Sequence, residues 1–281
     1  AYPCPDCEAF IFVADAAGNT VMRTLRLIAN FPESRALDSL TLVSLLGETG
    51  YWNWQTGDPL DQWGGVTVTG DRVTGLEIGS SGLTGALRLG RLTALTTLGI
   101  YDNYYITALD VRGCTALTTL DCHWNDIKTL YANGCAALTH LDCSENYIAV
   151  LDVRGCTALT ELNCNWNYLH ELDVHDNVLL AQLHCAGNNL TALDVSNHAV
   201  LEELHCDNNS LESLAVSGCP ALKFSNCSSN QFESTALDAL FNALPDRTGE
   251  EEHGTIQIGN NPGTDGCTKT IAEGKNWTVD T

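Results

Sequence analysis

The chain has 281 residues, 44% of them hydrophobic, with 35 acidic side chains against 13 basic ones and a formal charge of −22 at pH 7. That apolar share supports a continuous core and excludes a disordered tail. The charge rules against nucleic acid and anionic membrane surfaces, because phosphate recognition needs clustered Lys and Arg; basic partners or divalent cations suit it better.

The N-terminal segment gives few signals. No run approaches the roughly 18 apolar residues of a membrane span, so membrane insertion is not expected. Residues 1–30 lack a basic start followed by an unbroken apolar stretch, so no signal peptide is expected in this chain. Within this extension, Phe10–Asp15 and Thr20–Leu27 flank Ala16-Ala-Gly-Asn, which predicts a hairpin. Cys4 and Cys7 form a lone C-x-x-C; without a second pair, a local disulfide or an unrelated exposed pair fits better than a zinc site. Residues 33–47, around Leu37, Leu40, Leu42, Leu45 and Leu46, carry a helical apolar pattern. Tyr51-Trp-Asn-Trp54 and Asp61-Gln-Trp63-Gly-Gly-Val66 follow. We assign 31–72 to an N-terminal cap.

Residues 73–233 repeat. Leu120-Asp-Cys122-His-Trp-Asn125 recurs as Leu141-Asp-Cys143-Ser-Glu-Asn146 and Leu162-Asn-Cys164-Asn-Trp-Asn167. It recurs again as Leu183-His-Cys185-Ala-Gly-Asn188 and Leu204-His-Cys206-Asp-Asn-Asn209, always 21 residues on. Copies at Leu76 and Leu98 precede at a spacing of 22, and a degraded copy at Ser225 follows, giving about eight repeats. In Leu-x-Cys, a short strand points alternate side chains inward. One such strand cannot bury its apolar face alone, but parallel stacking buries it and pairs the backbones. The Asn column (Asn103, Asn125, Asn146, Asn167, Asn188, Asn209 and Asn230) sits where the chain leaves the strand, and its amides suit turn backbone groups. A second apolar pair lies half a repeat away, at Leu109/Val111, Leu130/Ala132, Leu151/Val153, Leu172/Val174, Leu193/Val195 and Leu214/Val216. It predicts extended segments on an opposite wall, leaving no room for helices.

The pattern L-x-x-L-x-[C/I]-x-x-N-x-L resembles that of leucine-rich repeats. The expected fold is therefore an α/β leucine-rich-repeat solenoid, a curved parallel sheet with little convex helix and a cap at each end. Of the 13 cysteines, Cys122, Cys143, Cys164, Cys185, Cys206 and Cys227 replace an inward Leu. Cys114, Cys135, Cys156 and Cys219 share a turn position with Asn177 and His198. Both columns read as reduced packing residues.

Residues 234–281 read as a C-terminal cap: a helix at Thr235–Leu244 stopped by Pro245, a closing strand in Thr255-Ile-Gln-Ile258-Gly-Asn-Asn261, a helix at Thr268–Glu273 and an end at Trp277-Thr-Val279. Together with the LDVRGCTALT-type units, the segments LPDRTG, GTIQIGNNPG and IAEGKNWTVD resemble a family of exported bacterial leucine-rich-repeat proteins over residues 60–281. The resemblance implies a secreted, cell-surface or periplasmic adhesion or recognition protein. The segment before the first repeat resembles the N-terminal cap of many leucine-rich-repeat proteins, whose usual cysteine pair is here replaced by valine or threonine.

Outward strand positions form columns on the predicted concave face. We place partner contacts at Tyr101, Asp121, His123, Trp124, His140, Asp142, Asn163, Trp166, His184 and His205. Bulky aromatics beside polar groups are the side chains that dominate interfaces; the alternative is that Trp124 and Trp166 merely seal an edge. Tyr104, Tyr105, Tyr147 and Tyr168 read as packing locally. His184 and His205, with Glu203 and Asp207 alongside, are the candidates for a shared metal, against the plainer reading of solvated rungs, and no metal is assigned. No Ser/His/Asp order, P-loop or G-x-G-x-x-G appears, so no catalytic residue and no cofactor are expected. The expected function is a non-enzymatic, monomeric scaffold binding a protein ligand such as a host or surface protein. A glycan ligand or a ligand-free surface spacer is the alternative.

Overall fold

The structure, a computed structural model, describes residues 8–14, 20–26, 38–39, 41–42 and 59–281. Cys4, Cys7, Trp52, Trp54 and most of the helical pattern at 33–47 lie outside the described residues. Glu8–Ala14 and Thr20–Arg26 pair antiparallel.

Eleven strands stack into one long sheet. Val66–Thr69 opens it, antiparallel to Arg72–Glu77. Every later strand runs parallel to its predecessor: Thr97–Gly99, Thr119–Asp121, His140–Asp142, Glu161–Asn163, Gln182–His184, Glu203–His205, Phe224–Asn226, Gly254–Gln257 and Trp277–Asp280. The register is set by burial: Leu76, Leu98, Leu120, Leu141, Leu162, Leu183 and Leu204 lie side by side, each at most 1% exposed. Slipping one residue would turn this row outward.

The repeat strands are three residues long because the chain leaves each of them through a left-handed residue. That position is filled by Ser80, Asp102, Trp124, Glu145, Trp166, Gly187, Asn208 and Ser229, with φ between 49° and 66°. From Asp102 on, the buried Asn follows. Asn146 Nδ2 donates to the carbonyls of Cys122, Cys143 and Ser144, and its Oδ1 accepts the Ile127 N–H. The same set recurs at Asn167, Asn188, Asn209 and Asn230. Asn261 in the C-terminal segment extends the ladder, donating to Cys227 O and Ile258 O. A threonine ladder runs beside it: the hydroxyls of Thr96, Thr118, Thr139 and Thr160 each donate to the carbonyl one rung back, at 2.8–3.0 Å.

The opposite wall is a broken sheet. Thr84–Arg88, Tyr105–Asp110 and Thr129–Tyr131 pair in parallel, as do Ala192–Asp194 and Ser213–Ala215. The rung containing Leu172 has no strand, yet Leu172 is still buried, at 8% exposure against 6% for Leu151 and 3% for Leu193. Packing against the long sheet therefore holds this wall, with or without ladder bonds. Among the described residues no α-helix interrupts 66–233. A helix follows at Ser234–Ala243, burying Leu237, Leu240 and Phe241. The buried Trp277 donates from Nε1 to Pro245 O at 2.9 Å.

All eleven described cysteines are free, and the ten in the two columns are buried. Burial pushes the thiols of Cys114, Cys185 and Cys227 up to about 12 and that of Cys135 to about 11. The turn column corrects the reading of these cysteines as apolar filler. Each Sγ–H donates to the carbonyl one rung back: Cys114 to Leu89, Cys135 to Val111, Cys156 to Ala132 and Cys219 to Val195, at 3.0–3.6 Å. Asn177 Nδ2 donates to Val153 O in the same way. His198 Nε2 lies 3.1 Å from Val174 O. The position requires a compact donor, which is why Cys, Asn and His interchange there.

Ellman titration of the native protein at pH 8 should therefore leave the ten column thiols unreacted. Denaturant should release most of the thirteen as free thiols. Four or more disulfides within repeats would overturn the packing account.

Candidate functional site

The exposed chemistry gathers on the outer face of the long sheet, where i and i+2 side chains of each strand point the same way. The ladder sets Asp121 beside Asp142, then Asn163, His184 and His205 on successive rungs. Flanking columns hold His140 and Glu161 on one side and His123, Ser144 and Asn165 on the other.

These groups pin one another. Asp142 Oδ1 accepts Ser144 Oγ at 2.6 Å and the Ser144 N–H at 2.9 Å, while its Oδ2 accepts Asn163 Nδ2 at 2.9 Å. His123 Nδ1 lies 2.5 Å from Asp121 Oδ1, and its ring stacks on Tyr101 with centroids 5.3 Å apart. His140 sits 3.7 Å from Glu161 and shares a hydrogen bond with Thr139. His184 stacks on His205 at 4.6 Å, and His205 meets Phe224 at 4.9 Å. Burial and then the neighbouring His205 hold the His184 imidazole below its ordinary pKa.

The two histidines named as metal candidates thus lie face to face, with ring planes 17° apart. In-plane nitrogen lone pairs of stacked rings run side by side and do not converge. The ligand-type grouping that the structure does bring together is Asp121, His123 and Asp142, whose donor atoms lie within 4.8 Å of one another. Its signal in the sequence is D-x-H on one strand with D at the same position 21 residues on. Beside it, the Glu77 carboxylate occupies the space a side chain at Gly99 would need. Burial, then the Asp121 charge, raises the Glu77 pKa.

Trp124 and Trp166 lie off the sheet proper, at the left-handed residue that ends the strand. They project as a ledge along the rim, half exposed. Tyr147 and Tyr168 do stack on each other, at 5.8 Å, in line with local packing. With Tyr104 they also stay half exposed and line one groove with the two tryptophans, of about 400 Å³. Sequence reasoning left these tyrosines out of the site; their signal was recurrence one residue after the ladder Asn. A larger hollow of about 770 Å³ lies on the opposite wall, where the Leu172 rung lacks a strand. Its polar groups are partly neutralised by the Arg154–Asp152 and His175–Asp173 pairs.

This coil of parallel three-residue strands, with few helices and a buried Asn ladder, is a leucine-rich-repeat solenoid. No protein-family model matches the chain. In an alignment of 83 positions that covers 28% of this chain and 7% of the other, the chain is 37% identical to the serine/threonine-protein kinase BRI1-like 1 of Arabidopsis thaliana. Among solved structures, the leucine-rich effector protein YopM of Yersinia pestis superposes with a TM-score of 0.54 at 19% identity, covering 83% of this chain and 62% of that one. The functional domain of InlJ from Listeria monocytogenes, described as including a cysteine ladder, gives 0.46 at 25% identity over 73% of this chain and 53% of its own. The chain spans less than two thirds of each of these proteins. The YopM likeness shows the fold alone. Among the described residues no helix is long and apolar enough to cross a membrane.

Proposed function

We propose that the chain is a recognition scaffold that holds a protein partner on its concave face between Tyr101 and His205, binding rather than transforming it. The observation that carries this reading is the pinned surface itself. From the Tyr101–His123 stack through the Asp142–Ser144–Asn163 bonds to the His184–His205 stack, adjacent rungs present polar and aromatic groups already fixed by one another. Groups ordered before binding lose little entropy on association, which is the usual route to affinity on an open surface. Solvated spacer rungs would need no such bonds. We place the protein outside the cytoplasm, on the resemblance of its repeats to exported bacterial proteins; the ten column thiols are buried too deeply to oxidise readily there.

The test places a photo-crosslinking residue at Asn163 on the sheet face or at Glu171 on the opposite wall. Partner identification should follow from the first position alone. With the partner in hand, Asp142→Asn combined with His184→Asn should weaken binding at least tenfold while the fold stays intact. Association should also fall with salt, because acidic groups rim the face. Crosslinking from Glu171 alone, or an unchanged affinity in the double variant, sinks the concave-face reading.

A further inference from the structure

The rim beside that face carries its own arrangement. Along the left-handed column, Trp124, Glu145 and Trp166 occupy successive rungs. A second row runs beneath them, with Asp126 ahead of Tyr147 and Tyr168. The backbone positions that carry indole, carboxylate and indole thus step by about one strand spacing, roughly 4.8 Å, from rung to rung. Glu145 and both tryptophans are exposed, and among the described residues no Lys or Arg lines the groove.

Two further observations point to a ligand. The first is backbone cost. Trp124 and Trp166 both sit at φ 54°, a region that suits Gly and Asn and penalises bulky side chains. Other rungs fill this position with Ser80, Gly187 and Asn208. Trp166 lays one side of its indole over Gly187 on the next rung, yet both tryptophans keep half of their surface exposed, so the strained position holds aromatic area open for contact. The second is that the opposite wall shows the same motif completed. There, Arg112 forms a fork with Asp110, at 2.9 and 2.7 Å, and lies 4.3 Å from the centroid of the Tyr131 ring one rung on. Carboxylate, guanidinium and aromatic face form one unit. On the ledge, the carboxylate and the aromatic faces are present, and among the described residues no guanidinium lines it.

We propose that the ledge of Trp124, Glu145 and Trp166 binds an arginine-bearing extended peptide, two guanidinium groups stacking on the indoles and sharing Glu145 between them. The proposal rests on the scaffold reading above and names the chemistry of the segment that would reach the rim. Arg suits the site better than Lys, because its planar fork both stacks and pairs with a carboxylate. The spacing selects the peptide conformation. Two rungs separate the positions of the two tryptophans by about 9.6 Å. A polyproline-type peptide returns a side chain to the same face every third residue, about 9.3 Å along. The motif that fits is Arg-x-x-Arg. The charge of −22 draws such a segment toward the chain.

The test uses the intact chain and the probe acetyl-Arg-Pro-Pro-Arg-Pro-Pro-Arg-amide, followed by calorimetry. Binding should weaken with salt, and the Lys counterpart should bind at least threefold more weakly. Trp124→Asn with Trp166→Asn should weaken the Arg probe at least tenfold without lowering the melting temperature, because Asn208 already serves at this turn. Glu145→Gln should cost at least fivefold, and Glu171→Gln on the opposite wall less than twofold. No binding overturns the proposal, as does equal binding of both probes with equal effects of the two Gln variants, the signature of net charge alone. Retention of stacked oligosaccharides in place of the Arg probe overturns it too. If the double Asn variant unfolds, the tryptophans are an edge seal, and Glu145→Gln still decides the peptide question. The two readings fail separately: the ledge fails on the probe, and the concave face fails on Asp142→Asn with His184→Asn against the crosslinked partner.

Discussion

Leu162→Ala should lower the unfolding free energy by about 2–5 kcal/mol, toward the upper end of that range. Leu162 is fully buried and pairs in register with Leu141 and Leu183, themselves at most 1% exposed. Loss of the isobutyl group removes apolar contact and leaves a void. How much of the void closes decides the cost. Here the neighbouring backbones are held at strand spacing by ladder bonds on both sides, so they cannot move in. The solenoid amplifies the effect, because each rung is supported only by its neighbours and a weak rung divides the stack. Urea unfolding should show a lower midpoint, and a second phase if the two halves separate. Val150→Ala, at a side chain 67% exposed, should stay within about 0.5 kcal/mol. If Leu162→Ala were tolerated as well as Val150→Ala, the inward row would be misassigned.

The inward row was legible because burial imposes a strict spacing. Leu at 21-residue intervals with Cys two residues later fixes strand, register and facing, and the structure keeps all three. The Asn column was legible for the same reason. What escaped was chemistry that does not change residue class at a regular interval. The turn cysteines look apolar until Asn177 and His198, at the same position, are read as fellow donors. Tyr147 and Tyr168 follow the Asn ladder, where a side chain can pack inward or stand on the rim. Only the left-handed turn decides which, and backbone sign is not written in the composition of Trp-Asn-Tyr. The Asp121, His123 and Asp142 grouping depends on two strands meeting in register, so no single stretch of sequence displays it. The opposite wall was read as a row of extended segments, and it is one in its buried side chains. It is not one in its hydrogen bonds, since Leu172 and Val174 stay buried without a ladder.

Asn167→Ala tests the ladder itself and should cost about 1–3 kcal/mol. Asn167 is 5% exposed. Its Nδ2 donates to Cys143 O at 3.0 Å, one rung back, and its Oδ1 accepts the Ile148 N–H at 2.9 Å. Alanine strips the Ile148 N–H of its partner and leaves Cys143 O with the Asn146 amide alone, in a place water does not reach. Asn125 provides an internal control. Its Oδ1 has no partner, because the Ile106 N–H that would meet it bonds to Asn103 O instead. Asn125→Ala therefore loses only the donating half and should cost less. Asn167→Asp is the sharper probe, since it keeps the shape and the acceptor for Ile148 but turns the donor into a second carboxylate oxygen facing carbonyls. Burial and those carbonyls should raise the folded pKa of the new carboxyl above its unfolded value of about 3.9. Protonation then favours the folded state, so the stability deficit is smallest at acid pH and grows as pH rises through the folded pKa. At pH 7 the Asp variant should be less stable than the Ala variant. By about pH 4.5 the gap should narrow, measured as each variant's difference from wild type at the same pH. A gap that does not change with pH, or an Asp variant as stable as wild type at pH 7, would mean that Asn167 does not donate across the rungs.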